Sequence, residues 1–119
     1  MCVPQKGKNM TVKDIKEAMQ LNVFCTGSED AQVNGGYCGD LLSWVMGRAE
    51  EGNAWLTIMS NQNVAAVAVM TDLSCIILTE GVKPDDPLLS RCETEGINLL
   101  GTDLSTYEAA AKLAEVLAG

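Results

Sequence analysis

The chain alternates short apolar runs with stretches whose apolar residues recur at helical spacing. Thr11 is placed to cap a first helix, in which Val12, Ile15, Ala18 and Met19 share one face. Leu21 to Cys25 is a short apolar stretch that ends in Thr26-Gly27-Ser28, a strand followed by a turn. The glycine-rich Gln32 to Gly39 segment has no clear period, and a short strand entering the next helix is one reading of it. Asp40 is placed to cap a helix over 41–51, with Leu41, Leu42, Val45, Met46 and Ala49 as its apolar face and Gly52 as its left-handed stop. Ala54 to Met59 is a strand without strict alternation, the pattern of a strand covered on both faces.

The second half repeats this alternation more cleanly. Val64 to Met70 is apolar at every position, so periodicity alone does not decide between helix and strand. Its three alanines and the preceding amides of Asn61, Gln62 and Asn63 favour a buried helix. Cys75-Ile76-Ile77-Leu78 is a fully buried strand. Asp85-Asp86-Pro87 starts a helix that Gly96 ends. Ile97 to Leu100 is the next strand. Ser105 and Glu108 form a capping box for the last helix, whose buried face is read as Leu104, Tyr107, Ala111, Ala114 and Leu117. From residue 54 onward the order is strand and helix in alternation. That order predicts an α/β fold: a mostly parallel sheet of about four to five strands, helices on both faces, in a Rossmann-like layering.

Length adds one constraint. At 119 residues there is room for a single domain, here residues 11–119 behind a loose tail of residues 1–10. Charge adds more. The net charge is −8, but Lys6, Lys8, Lys13 and Lys16 crowd the first sixteen residues against Asp14 alone. The rest of the chain carries four basic and fifteen acidic groups, a net of −11. This excess argues against a nucleic-acid partner, which needs clustered Lys and Arg.

There is no histidine. Ser-His-Asp and Cys-His catalysis is therefore excluded, as are the zinc sites that use imidazole. The five cysteines form no CxxC pair, so a metal centre is not indicated; no cofactor is expected. The start of the chain has no apolar leader, and the longest apolar run, Val64 to Met70, is too short to span a membrane. A reducing cytoplasm is the natural reading of unpaired cysteines. There is no GxxxxGK[ST] loop, so a kinase reading lacks its phosphate cradle.

In parallel α/β sheets, ligands bind beyond the carboxyl ends of the strands. Three loops qualify: Ser60 to Asn63, Thr79 to Lys83, and Thr102 to Ser105. The candidate ligand residues are Asn61, Gln62, Asn63, Thr79, Glu80, Gly81, Lys83, Thr102 and Asp103. The Asn34-Gly35-Gly36 turn joins them if Gly36 lets a backbone approach closely. Helix capping is the competing explanation for the Asn, Ser and Asp residues. Lys83 is the one base in these loops, and Glu80 and Asp103 would repel a triphosphate. Glu50/Glu51 and Asp85/Asp86 read as solvated helix ends. Trp44 and Trp55 fit a core, with a partner surface as the alternative for Trp44.

Residues 20–117 resemble the DRTGG domain family. The resemblance is carried by Trp55 to Ile58 with the Asn61-Gln62-Asn63 turn, by Ile76 to Gly81 with Lys83-Pro84, by Glu95 to Leu100, and by Thr102 to Ala110. It implies a small, non-catalytic regulatory module similar to the N-terminal domain of HPr kinase/phosphorylase. A homodimer and a small-molecule ligand are the expected partners, with a larger metabolic or redox enzyme as an alternative partner. A weaker alternative is an enzyme using Cys38 or a carboxylate, labelled an HPr serine kinase by similarity. The family's Asp-Arg pair falls at Asn61-Gln62, where neither residue is kept, and its Thr-Gly-Gly element reads Thr79-Glu80-Gly81.

Overall fold

A computed structural model describes residues 10–119. In chain order the elements are α1 (Val12–Met19), β1 (Asn22–Cys25), β2 (Gly35–Cys38), α2 (Leu42–Arg48), β3 (Asn53–Thr57), α3 (Asn63–Met70), β4 (Cys75–Leu78), α4 (Asp86–Glu95), β5 (Leu99–Gly101) and α5 (Thr106–Ala118). One five-stranded sheet runs in the order β1-β5-β4-β3-β2. The β2-β3, β3-β4 and β4-β5 pairs are parallel, and β1 joins β5 antiparallel. The expected mostly parallel α/β sheet is what forms, and the glycine-rich segment supplies its edge strand β2.

The strand order decides where the helices go. Each step from β2 to β5 moves one place in the same direction across the sheet. Right-handed crossovers then put all three connecting helices on one face. Accordingly Val45 of α2, Val64 and Ala68 of α3, and Leu88 and Cys92 of α4 pack in one cluster with Trp55, Ile76 and Leu78. The two helices outside the crossovers, α1 and α5, cover the other face, where Val12, Ile15, Ala109 and Leu113 pack on Leu56 and Ile77. Successive side chains of a strand point to opposite faces. The continuous run Cys75-Ile76-Ile77-Leu78 is thus split two and two between the clusters.

Local end signals are realised where their partners are close in sequence. Thr11 with Asp14 and Ser105 with Glu108 both form capping boxes. Asp85 accepts from Leu88 N at 2.8 Å, and Gly96 closes α4 at φ +70. The expected loose tail falls outside the described residues except for Met10, whose carbonyl accepts the Val33 N–H at 2.8 Å.

Five expectations need correction. The helix read over 41–51 is shorter, Leu42–Arg48, and its cap position is Leu41, without a side-chain bond. Asp40 does not cap it, because its carboxylate turns back to the end of β3. Gly52 does not stop it either; it sits at φ +86 in the turn into β3, where a Cβ would lie 2.6 Å from the Asn34 amide. The face of the last helix is rotated. Tyr107 is 83% exposed, and Ala111 and Ala114 are exposed, whereas Ala109 and Leu113 are buried. The reason is the seat of α5 on β2. Leu113 lies against Gly36, where a Cβ would come within 2.8 Å of it. In α1 the buried residues are Val12, Ile15 and Met19, with Ala18 exposed.

Candidate functional site

The loops after β3, β4 and β5 lie together at the carboxyl end of the sheet, as parallel pairing requires. Asn61, Gln62 and Asn63 start α3; the Asn61 side chain accepts from Asn63 N at 2.9 Å, and Gln62 makes no side-chain cap. Thr79 is fully buried and Thr102 nearly so, while Glu80, Gly81, Lys83 and Asp103 are exposed. The Asn34-Gly35-Gly36 turn does not join them. Gly35 pairs in register with Asn53, the first residue of β3, so it lies at the amino end. What Gly36 admits is Leu113 of α5 rather than a ligand.

The carboxyl end contains one place where neighbouring loops diverge. The chain leaves β4 for α4 on one face and leaves β5 for α5 on the other. A crevice between such loops is where ligands sit in open α/β sheets. Here the crevice is stitched. Glu80 N donates to Leu104 O at 2.8 Å, and Gly81 N donates to Thr102 O at 3.0 Å. The Thr79 and Thr106 hydroxyls share a hydrogen bond of 2.6 Å. Thr106 N, at the start of α5, donates to the Glu80 carboxylate at 3.2 Å. The chain's own anion thus lies where the helix dipole favours negative charge. Glu80 does this from the left-handed region, at φ +62, which is unfavourable for a residue with a Cβ.

Sequence reasoning missed Asp40, Thr57 and Thr106 at this end. The Asp40 carboxylate accepts from Thr57 Oγ1 at 2.6 Å and from Ile58 N at 3.0 Å. Both donors lie across the β2-β3 pair, seventeen and eighteen positions away, and no local spacing announces them. Glu80 and Thr106 are separated by 26 positions. An aspartate before an apolar stretch reads as a helix cap, and only the sheet redirects it.

The opposite end of the sheet is built differently. A cavity of about 680 Å³ opens there, bounded in part by Glu51, Asp72, Ser74, Glu95 and Asn98. The buried Asn98 side chain spans its floor. It accepts from Gly27 N at 2.7 Å and donates to Ser28 O at 2.8 Å and Ser74 O at 3.1 Å. Among the described residues no lysine or arginine lines this cavity.

The four described cysteines are chemically quiet. Burial pushes the Cys75 thiol up to about 12, and burial does the same for Cys92, with Cys25 nearby adding to it. Cys38, at the exposed end of β2, is also raised, by partial burial and then by the Asp40 carboxylate. A raised thiol is a poor nucleophile at neutral pH. Among the described residues there is no group of three acidic or cysteine side chains that could hold a metal ion, and no helix is long and apolar enough to cross a membrane.

Trp55 is fully buried and donates its indole N–H to Gly39 O at 2.9 Å. Trp44 is 54% exposed, with the Arg48 guanidinium 4.1 Å from its ring centroid. Leu41 and Met46 are exposed on the same helical segment.

No curated protein matches the chain. Among solved structures it is similar to the CBS and DRTGG domains of the regulatory region of Clostridium perfringens pyrophosphatase, a structure complexed with the activator diadenosine tetraphosphate. The TM-score is 0.74 at 14% identity, over 91% of this chain and 47% of that one, so the chain spans about half of its neighbour's length. At that identity the likeness establishes the fold. The family match is by sequence: the DRTGG domain matches residues 14–116. Covering the whole sheet and all but the ends of α1 and α5, that match means that the chain belongs to the DRTGG domain family.

Proposed function

We propose that the chain is a non-catalytic regulatory module that senses a small ligand and acts as a homodimer in the cytoplasm. The observation that carries this reading is the family match over residues 14–116, together with a neighbour that is itself a regulatory region with a bound activator. The candidate ligand loops are those of Asn61, Gln62, Asn63, Thr79, Glu80, Gly81, Lys83, Thr102 and Asp103. Their chemistry favours a neutral or weakly charged ligand. The Glu80 carboxylate already occupies the start of α5, and Lys83 is the one base in these loops, against the exposed carboxylates of Glu80 and Asp103. The raised Cys38 thiol counts against the enzyme reading.

The test is a thermal-shift screen with diadenosine tetraphosphate, mononucleotides, sugar phosphates and their uncharged nucleosides and sugars. A ligand at about a hundred times its Kd adds about 2.7 kcal/mol. For a domain of this size that is a shift on the order of 10 °C. If none of these compounds moves Tm at millimolar concentration, the sensing reading fails. Light scattering that gives 12.7 kDa, the mass of one chain, across a wide concentration range removes the homodimer.

A second reading is an accessory subunit docking on a larger metabolic or redox enzyme. The exposed Leu41, Trp44 and Met46 favour it, since aromatic and methionine side chains anchor protein interfaces. Co-purification that depends on Trp44 separates it from the first.

A further inference from the structure

Helix α2 is seated on the sheet chiefly by one side chain. Val45 is fully buried and Leu42 and Ala49 are half-buried beside it, while Ser43, Trp44, Met46, Gly47 and Arg48 are all exposed. At about 100° per residue, Ser43 and Gly47 each fall within about 20° of the direction opposite Val45. Trp44 and Met46 lie about 100° to either side of Val45 and so flank them. The outer face of α2 is thus a strip of two small residues, one turn apart, between two large apolar ones.

Nothing inside the chain calls for Gly47. A Cβ built on it meets nothing within 4 Å, and glycine weakens a helix interior. What a missing Cβ does allow is the close approach of another helix. The neighbouring α3, which packs on α2, adds the exposed Val69 and Met70.

Charge separates the helices. Carboxylates stand on α1 (Asp14, Glu17), on α4 (Asp86, Glu93, Glu95) and on α5 (Glu108, Glu115). None stands on α2 or α3, and their one charge is Arg48, whose guanidinium lies 4.1 Å from the Trp44 ring centroid. At a net charge of −8, two copies of the chain repel wherever carboxylate surfaces face each other. Among the described residues, α2 and α3 form the helical surface on which two copies meet without such opposition, and each brings a base to an acidic mate. A basic partner is drawn instead to the helices that carry carboxylates.

We propose that α2 is the two-fold contact of a homodimer, in which Ser43 and Gly47 of each copy let the helices pack closely and Trp44 and Met46 close over the contact. This rests on the homodimer reading above and assigns to a second copy the face that a larger enzyme would otherwise use. A two-fold contact presents the same patch from both subunits, and a small central strip between large flanking side chains is self-complementary.

The experiment follows light scattering and tryptophan emission together, on full-length protein from micromolar to millimolar concentration. Of the two tryptophans Trp55 is already buried, so a change in emission reports Trp44. As the mass rises from 12.7 kDa to twice that value, the emission should shift to the blue. Gly47→Glu fills open space and suits a helix better than glycine. It should leave the circular dichroism spectrum intact and weaken association by about tenfold or more. Tyr107→Glu adds the same charge at an 83% exposed position on α5 and should change association by less than about twofold. A chain that stays single at millimolar concentration overturns both the proposal and the homodimer reading. A dimer that forms without a shift in emission, or as tightly in Gly47→Glu as in the parent, overturns the proposal alone and leaves the homodimer reading standing. Equal weakening by Tyr107→Glu and Gly47→Glu has that same consequence.

Discussion

The two ends of the sheet are made by the same strands and differ in almost everything else. At the carboxyl end, neighbouring loops are drawn together by main-chain hydrogen bonds, and a carboxylate of the chain fills the start of α5. At the amino end the loops are also joined, Asn34 N to Gly52 O and Gly52 N to Asp72 O, but they leave a cavity open over the buried amide of Asn98. The usual preference for the carboxyl end rests on a crevice between diverging loops and on helix N-termini facing it. Here both conditions arise from the topology, and the side chains then use them internally. A fold therefore locates where a ligand could sit, while individual residues decide whether the place is open.

The amino end should be the more sensitive to a single change. Asn98→Leu strips three hydrogen bonds and leaves Gly27 N–H and two carbonyls without this partner. Leaving buried polar groups unsatisfied should cost about 3 kcal/mol in urea unfolding. An effect no larger than that of carboxyl-end variants would erase the contrast.

At the carboxyl end the largest response is expected from Gly81→Ala. Gly81 is at φ +73, and the new Cβ would approach Asp103 Oδ1 to 3.2 Å. Strain at such a position should cost about 1–2 kcal/mol. Thr79→Val removes the hydroxyl shared with Thr106 and should cost about 1 kcal/mol.

Glu80→Gly sharpens the comparison in another way. It relieves a residue held at φ +62 and removes its bond to Thr106 N. The two effects oppose, so stability should change by less than about 1 kcal/mol. Inorganic phosphate should then raise Tm in the variant more than in the parent. Equal responses would mean that Glu80 does not govern anions at this end.

The smallest effect expected is that of Lys16 on Glu29, a partly exposed pair joining α1 to the loop whose Ser28 and Ala31 line the amino-end cavity. The hydrogen bond from Lys16, then its charge, holds the Glu29 carboxyl below its ordinary 4.5. A lowered folded value means that the stabilisation is present above about pH 4.5 and is lost as pH falls through the folded value. Glu29→Gln should flatten that part of the acid limb slightly, and an unchanged limb would show that solvent screens the pair completely.

Much of the fold was legible because its signals are local. The capping boxes at Thr11 and Ser105, the Asp85 cap and the Gly96 stop each involve residues a few positions apart. The apolar runs of β3 and β4 are too dense for any half-exposed strand. The same logic misplaced Asp40, which has two possible partners, one near in sequence and one across the sheet. The reading of α5 failed for a related reason. Its apolar residues are mostly alanines, which fit either of two overlapping faces, and the choice fell to the contact between Leu113 and Gly36.

By itself the sequence determined the kinds of elements, their order, the parallel sheet and the acidic surface. These follow from short-range capping, hydrophobic period and charge, which need no knowledge of neighbours in space. Only the tertiary structure decided which strand lies at the edge and that Gly35 and Gly36 start that strand at the amino end of the sheet. It also decided that Glu80 reaches Thr106 and that Asp40 reaches Thr57. Each of these joins groups far apart in the chain through hydrogen bonds that become available only after the sheet has assembled.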